Sequence, residues 1–314
     1  MNLTAYGPSQ NNLACTQPDS TESMAITGRQ GAAHQAPPGE KQRIFPEGAC
    51  DTHLHVFGSP EEFPFIAERS YTPPPATIEQ YWSAYGPLGM DRCVLVQPSV
   101  YGRDHSLLKR TLGDAVPGSM RGVAVIFEDT PDAEIEELHR LGVRGARCNA
   151  LFSGGVSAAG LQSIADRVKG LGWHIQLLVN IDADFSLVQR LAEKGMSVVV
   201  DHFGHPSNCG DIDSRGVKGL RSLLQEGCAW VKFSGAYRIS ATGSGVDPAV
   251  LPLAHSLAHA NPDRIVWGSD WPHPGISAKS IASIELANLI THWFPEEIRR
   301  KALVENPTRL YWND

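Results

Sequence analysis

Three short stretches of this 314-residue sequence carry side chains able to move protons or hold a metal ion. The first is Asp51-Thr52-His53-Leu54-His55. On a strand, side chains alternate between faces, so His53 and His55 would share one side. Two imidazoles on one face can share a metal ion or polarise one carbonyl oxygen. The second stretch is Asp201-His202, which closes the apolar run before it, and the third is Asp270 in Gly268-Ser269-Asp270-Trp271-Pro272-His273. Each also has an ordinary reading. An H-x-H pair can arise by chance among twelve histidines. His202 can be a satisfied core histidine, and Ser-Asp before Pro is common turn chemistry.

The elements that position these stretches decide between the readings. Eight short apolar runs, many of them β-branched, occupy residues 49–57, 93–99, 122–127, 145–150, 174–180, 197–203, 229–234 and 265–271. Such runs, bounded by Gly or Pro, are how strands buried on both faces read. Amphipathic stretches lie between them. Residues 132–142 place acids early, Arg140 late and Gly142 at the stop, and 161–171 and 185–194 repeat the form. Asn306-Pro307 reads as the N-cap and first residue of a last helix. Eight strands alternating with helices predict an α/β fold, a closed (β/α)8 TIM barrel. The alternative is a doubly wound open sheet, but no GxGxxG follows the first strand. In a barrel, strands one and eight are neighbours and strand six faces them across the mouth. All three stretches end strands, so their side chains converge in one cavity.

Composition limits the remaining classes. With 42% hydrophobic and 19% charged residues the chain can bury a sizeable core. A net charge of −7 argues against a nucleic-acid partner but leaves small anions open, since a few pocket arginines outweigh it locally. Cys15, Cys50, Cys93, Cys148, Cys209 and Cys228 are scattered, without metal-ribbon spacing. That usage, with no signal-like start and no run long enough for a bilayer, predicts a cytoplasmic protein without a membrane partner. Residues 1–42 are polar and small, so a flexible tail is expected, or one laid across a partner subunit in a homo-oligomer. Residues 43–314 form the barrel domain.

The motifs DTHLHVFG (51–58), VDHFGHP (200–206), VWGSDWPHP (266–274) and NPTRLYW (306–312) together resemble the amidohydrolase superfamily, in its amidohydrolase-2-type lactonase branch. That branch includes pyrone-dicarboxylate and sulfomuconolactone hydrolases and sugar-lactone isomerases. The resemblance runs from about residue 48 to the C-terminus. It implies a small-molecule lactone substrate, with Asp270 activating water and His53, His55 and His202 around the carbonyl. An aspartate with an ordinary pKa of about 3.9 is ionised at neutral pH, as a base must be. Arg147 and Arg238 match arginines that grip substrate carboxylates, and Tyr71 and Ser99 match further substrate contacts. Two positions depart from the pyrone pattern: Ser153 stands where a second arginine is expected, and Leu178 where a tyrosine is. These predict a lactone other than a planar dicarboxylate.

Metal-dependent members add a fifth-strand histidine or a fourth-strand lysine. Here His174 begins the fifth strand, at the far end of the barrel, and the fourth strand has no lysine. The resemblance therefore implies no required cofactor; the alternative is one divalent ion such as zinc on His53, His55 and Asp270, with His202 close by. A metal-dependent decarboxylase or amide hydrolase, or a lactone isomerase, is the competing activity.

Overall fold

The computed structural model describes residues 43–151, 158–243, 247–275 and 283–313. The predicted flexible segment 1–42 and Ser153 lie outside the described residues. Eight parallel strands run in sequence order: β1 (Cys50–Leu54), β2 (Arg92–Val96), β3 (Met120–Val125), β4 (Val143–Asn149), β5 (His174–Leu178), β6 (Val198–Val200), β7 (Ala229–Phe233) and β8 (Ile265–Trp267). Each predicted run contains one of them or overlaps it. Helices α1 (Ile78–Tyr85), α2 (Ser106–Gly113), α3 (Asp132–Arg140), α4 (Ala158–Lys169), α5 (Ile181–Glu193) and α6 (Arg215–Gln225) follow the first six strands. The seventh crossover carries α7 (Ala236–Ile239) and α8 (Val250–Ala260), and β8 is followed by α9 (Ser283–Trp293), α10 (Glu296–Arg300) and α11 (Asn306–Tyr311). This is a (β/α)8 barrel.

Local sequence explains these elements. β1, β5 and β7 are buried at every residue, as strands covered on both faces must be. Along β2, Cys93 and Leu95 join the large cluster under the helices, whereas Val94 and Val96 join Cys50, Val123 and Tyr311 on the other face. Helix α6 starts at Ser214, whose hydroxyl accepts from Val217 N at 3.2 Å, and buries Val217, Leu220 and Leu224 on one side.

The barrel closes between β1 and β8 by a few specific bonds. Thr52 Oγ1 donates to Trp267 O (2.8 Å), Asp270 N to His53 O (2.7 Å) and His55 N to Trp271 O (2.8 Å). Beside them, Asp51 Oδ1 accepts from the backbone N–H groups of His53 and Ser269, each at 3.0 Å, and Oδ2 accepts from Tyr81 OH at 3.1 Å. A buried carboxylate is thus saturated with donors from both sides of the seam.

Two expectations are corrected. Asn306 is not an N-cap: it has helical angles and follows a π-turn over Lys301–Glu305, so the chain is helical from Glu296 to Tyr311. Pro307 cannot donate to the carbonyl four residues back and its ring crowds it, and the wider turn relieves that clash. The Asn306 amide instead donates to Pro262 O (2.9 Å) and Ile265 O (2.7 Å), tying the helix to the start of β8. The other correction concerns strand ends. β6 stops at Val200 and β8 at Trp267, so His202 and Asp270 stand on the loops that follow. Among the described residues no helix is long and apolar enough to cross a membrane.

Candidate active site

His53 lies on β1, His55 just after it, Asp201 and His202 after β6, and Asp270 after β8. Among the described residues, the non-glycine residues with positive φ are His202 (49°), Phe203 (58°), His205 (44°), Asp270 (60°) and His273 (64°). All belong to two loops at this pole. Left-handed backbone costs a non-glycine residue about 1 kcal/mol or more, and its confinement here marks loops shaped for a site.

The sequence-predicted residues do meet. The rings of His53 and His55 stand edge to face with centroids 5.1 Å apart, and His53 and His202 lie 4.7 Å apart. Asp270 Oδ1 is 3.8 Å from His53 Nε2 and 3.6 Å from His55 Nε2. The other oxygen, Oδ2, accepts from Tyr237 OH and Arg238 Nε, each at 2.5 Å. Oδ1 is buried and has no hydrogen-bond partner. One carboxylate oxygen is anchored and the other faces the imidazoles.

The far side of each ring is occupied as well. His55 Nδ1 bonds Val96 O at 2.7 Å; a carbonyl only accepts, so Nδ1 carries the proton and Nε2 a lone pair. His53 Nδ1 is 3.3 Å from Asp201 Oδ1, and His202 Nδ1 is 2.8 Å from Ser234 Oγ. Burial lowers the pKa of His53 to about 4 against the pull of Asp201, and it holds His55 and His202 low too. All three are neutral at pH 7. Burial alone would raise the Asp270 pKa, but the Arg238 charge and the surrounding imidazoles outweigh it and hold the carboxyl well below its usual range. Asp270 is therefore ionised more firmly than an ordinary aspartate, which the sequence did not indicate because Tyr237 and Arg238 carry no recognisable spacing to it.

Neutral imidazole nitrogens and an anionic oxygen converging on one point form a set that attracts a cation. Donor atoms of His53, His202 and Asp270 all lie within 4.8 Å of one another. These residues fit a single divalent ion, and the set differs from the expected one by His202 in place of His55. His174 is at the opposite pole, buried against the Tyr311 ring at 5.2 Å, too far around the barrel to contribute.

Four further residues were expected to touch substrate. Arg147, only 7% exposed, donates from Nη1 to Gln97 O at 2.8 Å, while its buried Nε has no partner. No acidic side chain among the described residues pairs with it. Burial raises the Tyr71 pKa, and the Arg147 charge, Ser99 and the Arg238 charge pull it down against Asp270, so Tyr71 shares the electrostatic surroundings of the site. Arg238 is committed differently from the expectation, since Nε binds Asp270 and Nη2 donates to Pro274 O at 2.9 Å. Leu178 ends β5, buried.

Sequence reasoning missed Tyr237, His273, whose Nδ1 is 3.1 Å from Tyr237 OH, and Lys232. Lys232 on β7 is wholly buried, and burial lowers its pKa to about 8 despite the attraction of Asp201. Its one signal is a lysine within the otherwise apolar strand Ala229–Phe233.

A barrel that gathers imidazoles and a carboxylate where its strands end is the scaffold of an enzyme. Comparison with known proteins narrows this class. Residues 50–312 match the amidohydrolase family model, and the chain belongs to that family. It is 36% identical over 291 residues to the 2-pyrone-4,6-dicarboxylate hydrolase of Comamonas testosteroni, covering 88% of this chain and 94% of the relative. It is 37% identical over 276 residues to the 4-sulfomuconolactone hydrolase of Rhizobium radiobacter, covering 85% and 90%. A crystal structure from Agrobacterium tumefaciens superposes with a TM-score of 0.76 at 28% identity, covering 86% of this chain and 97% of that one.

Proposed function

We propose that the protein is a lactonase, a carboxylic ester hydrolase that opens the ring ester of an acidic lactone. The observation that carries this is the uncommitted Oδ1 of Asp270, facing the Nε2 atoms of His53 and His55 inside a buried mouth. Water held there passes a proton to Asp270 Oδ1 as its oxygen attacks the lactone carbonyl carbon. The tetrahedral oxyanion needs donors or a cation. With its Nε2 as a lone pair His55 cannot donate directly, so a water that gives one hydrogen to the imidazole and the other to the oxyanion supplies the donor. The ring C–O bond then breaks, the alkoxide takes the proton back from Asp270, and the product is a hydroxy acid. Tyr237 and Arg238 keep Oδ2 fixed, so only Oδ1 moves protons. Arg147, a buried cation with no acidic partner among the described residues, supports a carboxylate or similar acid group on the substrate. The names of the pyrone and sulfomuconolactone hydrolases support the same substrate class.

The reading extends to an enzyme that needs no resident metal, supported by His174 at the wrong pole and a fourth strand without lysine. A second reading has its own support. The converging donors of His53, His202 and Asp270 would hold one zinc ion, which supplies Lewis acidity when bound.

One experiment tests the function and separates these readings. A panel of acidic and neutral lactones is assayed for proton release, before and after chelation, with metal analysis of the purified protein. Hydrolysis unchanged by chelation is expected. Loss on chelation with recovery on zinc supports the second reading. An isomerase would interconvert lactones without accumulating open-chain acid, and no turnover of any lactone refutes the proposal.

A further inference from the structure

Below the site, the barrel interior is not the layer of aliphatic side chains usual for this fold. Alternation along β7 puts Trp230, Lys232 and Ser234 on one face, and Trp230 packs with Val199 and Val266 from the neighbouring strands. Lys232 is thus one level beneath Ser234, the residue bonded to His202. Its ammonium donates to Thr52 O and to Gln176 Oε1, each at 2.7 Å, and lies 3.9 Å from Asp201 Oδ1. Gln176 Nε2 in turn donates to Asp201 Oδ2 at 3.0 Å. The cation and the amide hold the Asp201 carboxylate from below and from one side. Facing Oδ1 is His53 Nδ1, at 3.3 Å.

Stability does not explain this arrangement. Burying an ammonium and a carboxylate costs several kcal/mol per ion, and apolar residues of similar size are often at least as stable. The interior between β1, β5, β6 and β7 could be filled by leucine or methionine. The polar set has a geometric consequence instead. Asp201 Oδ1 has no aligned donor, so the carboxylate acts on the His53 ring through its charge. A carboxylate beside Nδ1 favours the tautomer with hydrogen there. That leaves the lone pair on Nε2, 3.8 Å from Asp270 Oδ1.

We propose that Lys232 is a positioning residue: with Gln176 it fixes Asp201 against His53 Nδ1, so that His53 presents its Nε2 lone pair to the reacting centre. Lys232 touches neither substrate nor water in this scheme and acts only through Asp201 and His53. The same tautomer serves an imidazole that polarises substrate and one that ligates zinc, so the inference holds under either reading. It rests on the lactonase reading only for the assay of turnover.

The test reads the tautomer directly. Nitrogen and proton NMR of the histidine rings, with His53 identified by its loss in His53→Gln, reports which nitrogen carries hydrogen at neutral pH. Wild-type His53 is expected as a single Nδ1–H tautomer. In Lys232→Met, and separately in Asp201→Asn, it is expected to become a mixture. The accompanying fall in kcat on a hydrolysed lactone is about ten- to a hundred-fold, the usual scale for residues that orient a functional histidine, with KM within about two-fold. A wild-type His53 protonated at Nε2 overturns the proposal without any variant. So does a folded variant whose His53 keeps the wild-type tautomer and turnover. Absence of lactone turnover in the wild type would refute the lactonase reading and leave the tautomer measurement standing.

Discussion

Replacing Asp270 by asparagine exchanges a buried carboxylate for an amide of the same shape, and the surroundings dictate how that amide sits. Tyr237 OH and Arg238 Nε both donate to Oδ2, so the amide oxygen must face them. The NH2 then takes the place of Oδ1, pointing at Nε2 of His53 and His55 at 3.8 and 3.6 Å. His55 Nε2 carries a lone pair, and His53 Nε2 carries one in the tautomer proposed above, so the amide finds acceptors and the loop keeps its conformation. What the fold loses is the counter-charge of Arg238, whose side chain is 19% exposed and partly solvated. A destabilisation of about 1–3 kcal/mol follows, well within what a barrel of this size tolerates. The chemistry loses its proton acceptor outright, since an amide nitrogen that donates cannot accept from water. Losing a positioned base costs about two to four orders of magnitude in kcat, or about 3–5 kcal/mol of barrel-bound transition-state stabilisation. KM should move far less, because the substituents of the substrate are held elsewhere. Circular dichroism against temperature and steady-state kinetics on a turned-over lactone check both halves. A folded Asp270→Asn protein with near wild-type kcat refutes Asp270 as the base.

Arg147→Met removes a buried cation with no acidic partner among the described residues, so stability should hold or rise in urea unfolding. KM for an acidic lactone should increase about ten- to a hundred-fold, the loss of one charge-assisted contact, with neutral lactones unaffected; equal losses on both would make Arg147 structural. Acid should unfold the protein early. His53 and His174, whose pKa values fall from near 6.5 to about 4 and about 3 on folding, stabilise the fold when neutral, and that stability is lost as pH drops below 6.5. Asp51, raised to about 6 by burial, works in the opposite sense because the fold binds its proton first. By pH 5 each of these two histidines removes about 2 kcal/mol relative to pH 7.5 and Asp51 returns about 1. A urea midpoint at pH 5 equal to or above that at pH 7.5 would contradict this.

Strand cores were legible because β-branched runs buried on both faces leave few other readings, and Asp270 and His202 were legible as polar groups closing such runs. Strand ends were not. Nothing local says that β6 ends at Val200 rather than running on through Phe203; positive φ at His202 and Phe203 is imposed by the loop. The partners of Asp270 were hidden for another reason. Tyr237 and Arg238 lie more than thirty residues before it on α7, and only the adjacency of β7 and β8 brings them together. Lys232 was hidden because the run 229–234 reads as a strand buried on both faces, a setting in which a lysine carries no local sign of a polar interior. Asn306 misled because Asn-Pro is an ordinary helix start, whereas here the helix arrives from Glu296 and widens to let the proline through.

The seam sealed by Asp51 also governs when this molecule becomes an enzyme. Thr52 and Trp267 are 215 positions apart in the chain, and Asp51 and Ser269 are 218 apart. During synthesis, His53 and His55 emerge early and wait through seven strands for the segment that supplies Asp270. Throughout that interval β1 and the strand made last are raw sheet edges, and Asp51 is an acid without its Ser269 donor. Chains with such long-range closure fold slowly, and exposed strand edges invite pairing with other chains. Ribosome-bound or truncated products lacking the eighth strand therefore lack Asp270 and leave the edges of β1 and β7 unpaired. Activity, on this geometry, arrives with the last strand and in a single step.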